Sequence, residues 1–488
     1  MTGSSGRRAE ENRTHGSVGR VGNPGAQTNR AFVPSVRTAL FALAALLTFS
    51  AAAPRRVRGD DGAPPAFLRL EYRAVTTNEP TDENVKRKSP LVPRTDGTVA
   101  VVLGPRRVEL VEDGRRTVLD HEHERLLRVE ADGSYRETSL LANVAFIDME
   151  MRNRARIAKA LATVKMKDES SRPRELSILF GCHAEGDDTT VTTARDGGAF
   201  VFRDGEEELA RWTPSAESLD DAQRASLARF LQFRCRLHPA VRDAITADGH
   251  APASIRFRWF NTGTRSTTEM TLLGARRSGD DGSTQLARRA FAESDPLARV
   301  AKRVLDPAKD DASPRLSKDD FVRLAREARK AGRPEDAGLL LIECGLQTGD
   351  SVTDELRDLR SDAEAGPRLE RLFGVLGIRD CAKQLAGIDA LDRAAFSRPH
   401  VLDVLRANAL AASNRMDEAV QAMLGALGED PWLTGAWKDL GDFYYARFDT
   451  ERTWLAWEAG RRAAPGHPMW GPVREFEDRL RKAYSALL

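Results

Sequence analysis

The sequence has few cysteines, few aromatic residues and no long apolar stretch. Only 4 cysteines occur among 488 residues, which excludes the disulfide-dense scaffold of small secreted domains. Hydrophobic residues make up 41% of the chain and aromatic residues 6%, a composition typical of a globular protein with several domains. No apolar run reaches the roughly 20 residues of a membrane-spanning helix, which excludes a polytopic membrane protein.

The sequence also lacks the short motifs of common enzyme classes. It contains no glycine-rich phosphate-binding loop, no Gly-x-Ser-x-Gly, no His-Glu-x-x-His and no Cys-x-x-Cys. Hydrolases and nucleotide enzymes usually need the backbone and ligand geometries that these motifs provide. We therefore expect a non-enzymatic protein without a cofactor.

The charge balance argues against a nucleic-acid partner. The whole chain has 75 basic and 73 acidic residues, a net charge of +2. Residues 1–53 contribute six arginines and two glutamates, so the remainder carries 69 basic and 71 acidic residues, a net charge of −2. A protein without a basic excess gains little from releasing counterions on a phosphate backbone, and we expect no nucleic-acid binding.

A segment near the N-terminus resembles an export signal. The 11 apolar residues Ala39–Phe49 follow Arg37 and precede the small residues Ser50-Ala51-Ala52-Ala53, which is the layout of a secretory signal peptide. We therefore predict a signal peptide at residues 36–53 and a secreted or periplasmic bacterial protein.

An uncleaved N-terminal anchor is the alternative. Arg55 and Arg56 follow the apolar run, where positive charge opposes translocation. In that case residues 38–53 would provide the membrane contact. Residues 1–35 fit either disorder or a start codon assigned too far upstream, and residues 54–66 are predicted to be a linker.

Residues 67–273 are predicted to form an α+β domain with a mainly antiparallel sheet. Apolar and polar residues alternate in short segments, as in half-buried strands. Asp-Gly pairs separate several of these segments and predict tight hairpins, because both residue types tolerate positive φ. The predicted strands are Phe67–Thr76, Thr98–Leu103, Arg107–Val111, Arg116–Asp120, Arg125–Glu130, Glu175–Phe180, Thr189–Thr193, Ala199–Phe202, Ile255–Phe260 and Thr267–Leu273.

Two helices are expected to cover this sheet. One spans Leu141–Val164, and the other begins after Ser218 and is ended or kinked by Pro239. Charged neighbours alternate with Val108, Leu110, Thr117, Leu119, Leu126 and Val129. This pattern resembles the curved sheets of periplasmic lipoprotein-carrier proteins, a resemblance that implies an apolar cavity between sheet and helices.

The C-terminal third is predicted to be all helical. A linker with a short helix at residues 274–317 precedes residues 318–488, where the apolar spacing is helical throughout. This region contains Trp437-x-x-Leu440-Gly441-x-x-Tyr444, followed by Trp457 and Pro465. The motif resembles the tetratricopeptide repeat (TPR), a helix-turn-helix unit of 34 residues.

A second match lies 34 residues earlier in the chain. There Ala419, Met423, Ala426 and Pro431 correspond in size to Thr453, Trp457, Gly460 and Pro465. We therefore predict TPR-like repeats in which these residues and the motif residues pack helix against helix. Asp403 and Arg406 depart from the pattern, since the family has large apolar residues at those positions.

The resemblance implies a concave face that holds an extended peptide or a partner helix. The residues predicted to point away from the packed face, and so to contact a partner, are Asn408, Lys438, Asp442 and Tyr445. An ordinary solvated helix face is the alternative interpretation.

The cysteines and histidines leave several possibilities open. Two disulfides are possible after export, with Cys182 and Cys235 in one region and Cys344 and Cys381 in another; free buried thiols are the alternative. Cys182, His183, Cys235 and His238 could together form a tetrahedral zinc set. His121 and His123 could share a metal, or they could lie in a charged hairpin tip.

Three functions follow as expectations. The first is an exported, non-enzymatic scaffold that binds a protein or peptide through its helical repeats. The second is a periplasmic carrier of a lipid or another hydrophobic ligand in the α+β domain. The third is a metal-dependent enzyme that uses the histidine or cysteine–histidine candidates. The identity of the partner and the oligomeric state do not follow from the sequence.

Overall fold

The computed structural model describes residues 67–80, 92–163, 172–261, 264–278, 289–307 and 315–488. The predicted leader, the signal peptide or anchor and the linker at residues 54–66 lie outside these ranges, so export stays a prediction. Within the described ranges, none of the helices is both long enough and apolar enough to span a bilayer.

Among the described residues, eleven antiparallel strands form one sheet in the order β6-β5-β4-β3-β2-β1-β11-β10-β9-β8-β7. Strands β6 and β7 form the two edges, and β1 pairs with β11, so that Phe67 lies opposite Ser278. The strands are β1 (Phe67–Pro80), β2 (Arg94–Leu103), β3 (Arg107–Glu112), β4 (Arg115–Asp120), β5 (Arg125–Val129), β6 (Tyr135–Ser139), β7 (Val191–Asp196), β8 (Ala199–Asp204), β9 (Glu207–Ser218), β10 (His250–Asn261) and β11 (Thr264–Ser278).

The predicted antiparallel sheet is therefore confirmed. The Asp-Gly pairs form the hairpin turns, and Asp113 and Gly114 between β3 and β4 have φ values of 52° and 73°. Strand β11 continues past residue 273, where the domain was predicted to end.

One face of the sheet packs against helices near its centre. Leu68, Leu70 and Tyr72 alternate along β1 and are buried, as the period of a strand requires. They pack with α3 (Asp221–Phe230) and α4 (Pro239–Asp248), and the rings of Tyr72 and Phe230 are 6.4 Å apart. Between α3 and α4 lies a short π-helical turn, Leu231–Cys235, and Pro239 starts α4 instead of ending α3.

Helix α1 (Leu140–Thr163) does more than cover the sheet. Its Leu141, Ala142, Val144 and Ala145 pack with tryptophans and other apolar residues of the C-terminal helices. Further along, Ile147 and Met151 pack with Leu176. Helix α1 therefore ties the sheet domain to the helical region.

The prediction of a strand at Glu175–Phe180 is wrong, because this segment forms α2 (Pro173–Phe180). Pro173 lies in the first turn, where its missing N–H costs nothing, and Gly181 ends the helix at φ 64°. The short apolar run in this segment fits either type of element, and these flanking residues decide for the helix.

The remaining described chain is helical, as predicted. Helix α5 (Pro296–Leu305) lies in the range predicted to be a linker with a short helix, and its Leu297, Ala301 and Val304 are buried against later helices. The following helices are α6 (Lys318–Lys330), α7 (Pro334–Thr348), α8 (Thr353–Ser361), α9 (Ala365–Leu376), α10 (Cys381–Asp389), α11 (His400–Ala412), α12 (Met416–Glu429), α13 (Thr434–Ala446), α14 (Thr450–Ala463) and α15 (Gly471–Ala483).

Three helix pairs in this region share one geometry, which is consistent with a helical repeat. In α6–α7, α11–α12 and α13–α14 the first helix has 13 residues and a three-residue connection follows it. The middle residue of each connection has positive φ: Gly332 at 71°, Asn414 at 61° and Phe448 at 65°. The bounds of α13–α14 lie 34 residues after those of α11–α12.

Candidate functional site

The motif residues of α13 and α14 form the contact between these two helices. Trp437, Leu440, Tyr444 and Trp457 are all buried. A Cβ on Gly441 would lie 2.2 Å from Nε1 of Trp457, so only glycine lets the helices approach this closely. The indole N–H groups are satisfied by backbone: that of Trp437 donates to the Pro431 carbonyl at 2.7 Å, and that of Trp457 to the Lys438 carbonyl at 3.3 Å.

The corresponding residues of the preceding pair also lie in the core. Ala419, Met423 and Ala426 on α12 are fully buried, and Pro431 is buried in the connection to α13. Pro465, which follows α14, is exposed.

The four predicted partner-binding side chains have partners within the chain. Lys438 is 6% exposed and its Nζ lies 2.5 Å from Oδ2 of Asp442. Asn408 donates to Asp439 at 3.0 Å, and the ring of Tyr445 packs on Phe476 of α15 at 5.3 Å. These contacts within the chain differ from the expected open groove.

Burial also perturbs the Lys438–Asp442 pair. It raises the pKa of Asp442 to about 6, although the neighbouring ammonium of Lys438 acts in the opposite direction. The pair is therefore an internal ionic contact of α13. It is neither a partner-binding surface nor the solvated helix face that was the alternative interpretation.

An open groove instead lies between α11 and α12. It has a volume of about 480 Å³, and we call it the charged groove; its residues are Asp403, Arg406, Asp417, Glu418, Gln421, Ala422 and Gly425. A Cβ added to Gly425 would meet no atom within 4 Å, which shows how open this surface is.

The charged groove exists because Asp403 and Arg406 replace apolar residues. They stand 34 positions before Trp437 and Leu440, which are buried against neighbouring helices. At the earlier position the same helix face carries charge, and it forms ion pairs with the preceding segment: Asp403 with Arg393 at 2.8 Å and Arg406 with Asp389 at 2.8 Å.

The other two carboxylates of the groove are paired at its rim. Asp417 contacts Arg447 at 2.7 Å, and Glu418 contacts Arg415 at 2.6 Å. The side chain of Asp417 is almost fully exposed, so its ion pair is a surface contact that contributes at most about 1 kcal/mol.

The cysteines are free in the structure, so neither possible disulfide is present. Cys182 lies against Met151 at 3.5 Å and Cys235 against Met270 at 3.9 Å, in two different apolar clusters. Cys344 faces Thr348, and Cys381 is partly exposed near the Arg379 carbonyl. Burial raises the pKa of the Cys182 thiol to about 11 and that of Cys235 to about 12, so both are protonated and unreactive at neutral pH.

The predicted zinc set is only partly assembled. His183 and His238 meet edge to face with ring centroids 5.8 Å apart, but the sulfur atoms of Cys182 and Cys235 point to methionines. Asp187, which the sequence analysis missed, is the third member of the group, and its Oδ2 lies 2.9 Å from Nε2 of His238.

The surroundings of His238 favour a hydrogen bond to Asp187 over a metal ligand. Its Nδ1 accepts from the Ala240 N–H at 3.3 Å, which leaves the proton on Nε2, directed at Asp187. A metal-binding imidazole instead needs its second nitrogen to donate. Burial alone raises the pKa of Asp187, but hydrogen bonds from Ser177, Thr189 and His238 lower it to about 2.

The ring nitrogens of His121 and His123, the other metal candidates, are directed at different partners. Nδ1 of His121 lies 2.5 Å from the Leu488 carbonyl oxygen, whereas Nδ1 of His123 lies 3.0 Å from Asp120. Burial, helped by the charge of Arg229, lowers the pKa of His121 to about 4, so this ring is neutral at pH 7. The two rings therefore have separate structural partners.

A buried ionic cluster at the centre of the helical region also escaped the sequence analysis. Nε of Arg398 lies 2.6 Å from Glu343, and its Nη2 contacts Asp430. His400 adds a contact to Glu343 at 3.1 Å, and Gln347 donates to Asp430 at 2.6 Å. These side chains come from α7, from α11 and from the segments before α11 and after α12, so the cluster fixes how those elements pack.

No protein-family model matches the chain, and no curated protein sequence is significantly similar to it.

Proposed function

We propose that the protein is an exported, non-enzymatic scaffold of the bacterial cell envelope whose TPR-like helix pairs bind a polypeptide in the charged groove. The observation that carries the proposal is the open groove between α11 and α12. Helical repeat proteins commonly use such grooves to hold extended segments, since each helix pair contributes a similar strip of surface.

The charge of the helix pair favours a basic segment as the partner. From His400 to Glu429 the chain has four acidic residues and two basic ones. The carboxylates of the groove are paired with arginines at the surface, where an ion pair is weak and easily exchanged. Lysine or arginine side chains of a partner would replace the rim arginines at Asp417 and Glu418.

An exposed aromatic residue next to a rim arginine supports the same surface. Phe448 follows Arg447, the partner of Asp417, and the residue is 44% exposed at a φ of 65°. A bulky residue in this backbone region is strained, and the two equivalent positions hold glycine and asparagine. A contact between Phe448 and a partner would account for an aromatic residue at this strained position.

The carrier alternative has less support in the described residues. The space between β1, α3 and α4 is filled by packed side chains such as Tyr72, Phe230 and Leu227. A lipid would have to displace this core.

Fluorescence anisotropy tests the proposal. The full chain is titrated into a labelled peptide of alternating lysine and alanine, and separately into the same peptide with glutamate in place of lysine. We expect saturable binding of the lysine peptide, which weakens at least fivefold in the variant D417N/E418Q. The loss of two carboxylates at the groove removes the partners of two lysines.

The matched control is D319N/D354N, which removes two exposed carboxylates from α6 and α8. It should bind within twofold of the unmodified chain. Equal weakening by both double variants would show a general charge effect and contradict the proposal, as would the absence of binding or a preference for the glutamate peptide.

A further inference from the structure

A half-open chamber of about 300 Å³ lies between the β5–β6 edge of the sheet and helices α14 and α15. This volume is at the lower end of the range for small-molecule sites. We call it the interdomain chamber, and the residues that matter for its chemistry are Arg125, Glu137, Thr138, Trp454 and Arg461.

Hydrogen-bond donors without a full set of partners line one part of it. Trp454 is 3% exposed, and its indole Nε1 has no hydrogen-bond partner among the described residues. The ring is fixed by Trp457 and Phe476, at centroid distances of 4.9 and 6.0 Å. A buried N–H group without an acceptor is unfavourable, so this position suits a ligand oxygen.

Two guanidinium groups extend this donor surface. Arg125 uses Nε for Asp120 at 2.7 Å, and Arg461 uses Nη1 for Glu477 at 2.8 Å. An arginine has five N–H donors, so each of these side chains has further donors for a carboxylate.

The chamber also contains a carboxylate whose ion pair is long. Arg289 lies 3.9 Å from Glu137 and pairs more closely with Glu458, at 2.5 and 2.8 Å. Burial raises the pKa of Glu137, in keeping with this incomplete pairing. A ligand ammonium beside Glu137 would complete it.

We propose that the interdomain chamber binds a small zwitterion of the free amino acid or dipeptide class. The ligand carboxylate accepts from Trp454 Nε1 and from Arg125 or Arg461, and the ligand ammonium pairs with Glu137. This site is separate from the charged groove and does not depend on it. Because its walls come from the sheet and from the helices, a bound zwitterion would also strengthen the contact between them.

Isothermal titration calorimetry of the full chain at pH 7 tests the proposal. The probes are glycine, L-lysine, L-glutamate and L-alanyl-L-alanine, with acetate and methylamine as ligands that carry one charge each. We expect at least one zwitterion to bind saturably, and acetate and methylamine to bind at least tenfold more weakly than that zwitterion.

Two substitutions locate the site. E137Q removes the charge with almost no change of shape, and W454F removes the indole N–H; each should weaken zwitterion binding at least tenfold. The control E130Q changes an exposed glutamate in the β5–β6 turn, outside the chamber, and should bind within twofold of the unmodified chain.

The proposal is overturned if none of the four zwitterions gives saturable heat. It is equally overturned if acetate binds as tightly as the best zwitterion, or if E137Q binds like the unmodified chain. E137Q keeps the test decisive even if W454F does not fold.

Discussion

The close contact of α13 and α14 gives a sharp prediction about Gly441. In Gly441→Ala the new Cβ would lie 2.2 Å from Nε1 and 2.3 Å from Cδ1 of Trp457, and this indole is fully buried. Such overpacking costs about 1–3 kcal/mol. If the indole moves away, its hydrogen bond to the Lys438 carbonyl is lost, which costs a further ~1–3 kcal/mol.

Helix propensity acts in the opposite direction. Alanine is better than glycine inside a helix by about 1 kcal/mol, so we expect a net loss of roughly 2–3 kcal/mol in the free energy of unfolding. Gly425→Ala is the matched control, because Gly425 lies within α12 with open space around it. That variant should gain up to about 1 kcal/mol.

Urea unfolding followed by tryptophan fluorescence measures both effects. Five of the seven tryptophans lie between residues 432 and 470, so the emission reports mainly on the helical region. A Gly441→Ala protein that unfolds at the same urea concentration as the unmodified chain, or at a higher one, would refute the packing described for α13 and α14.

Four further predictions follow from the described contacts. Denatured protein should react with an alkylating reagent at all four cysteines without prior reduction, and an intact mass showing fewer modifications would reveal a bridge that the structure lacks. Asp187→Asn should lower the free energy of unfolding by roughly 2 kcal/mol at pH 7, because the pKa of Asp187 is about 2 in the folded state against an ordinary 3.8. The difference in unfolding free energy from the unmodified chain should shrink as the pH falls from about 4 to 2. A difference that stays constant over this range would contradict the prediction. Arg398→Met should cost about 3–5 kcal/mol in urea unfolding, because it leaves the buried carboxylates Glu343 and Asp430 without their main counter-charge, and an unchanged midpoint would argue against the ionic cluster. Phe448→Asn should raise the free energy of unfolding by about 1 kcal/mol through relief of backbone strain, yet weaken binding of the lysine peptide. If the variant gains both stability and affinity for the peptide, Phe448 is not part of the binding surface.

The helical region could be predicted from the sequence because its signal is periodic. A Trp-Leu-Gly-Tyr pattern on α13 and small residues on α14 define one helix pair, and among the described residues three pairs have connections of equal length. The charged groove also left a signal, since Asp403 and Arg406 depart from that pattern. The departure marks the helix face that carries charge in place of large apolar side chains.

Errors in the sheet domain arose where local patterns were ambiguous. Strand β6 was not predicted, because its sequence Tyr-Arg-Glu-Thr-Ser lacks apolar alternation. It is an edge strand, and its side chains are only partly buried. The segment Glu175–Phe180 has a short apolar run that fits a strand or a helix. Pro173 and Gly181 carried the information that decides between them.

The sequence could not reveal contacts between distant parts of the chain. Asn408 pairs with Asp439 of the next helix pair, and Tyr445 packs on Phe476 of α15, so neither side chain faces an open groove. The ionic cluster around Arg398 and the interdomain chamber likewise join residues that are far apart in sequence. Such sites depend on tertiary packing, and helical periodicity does not encode them.

Hydrogen–deuterium exchange with and without the lysine–alanine peptide shows whether a polypeptide binds in the charged groove. If a partner lies in the charged groove, saturating peptide should slow backbone exchange in α11 and α12 and leave α6, α7 and α8 unchanged. Protection confined to helices other than α11 and α12, or exchange that stays the same throughout the chain at saturating peptide, would contradict the account.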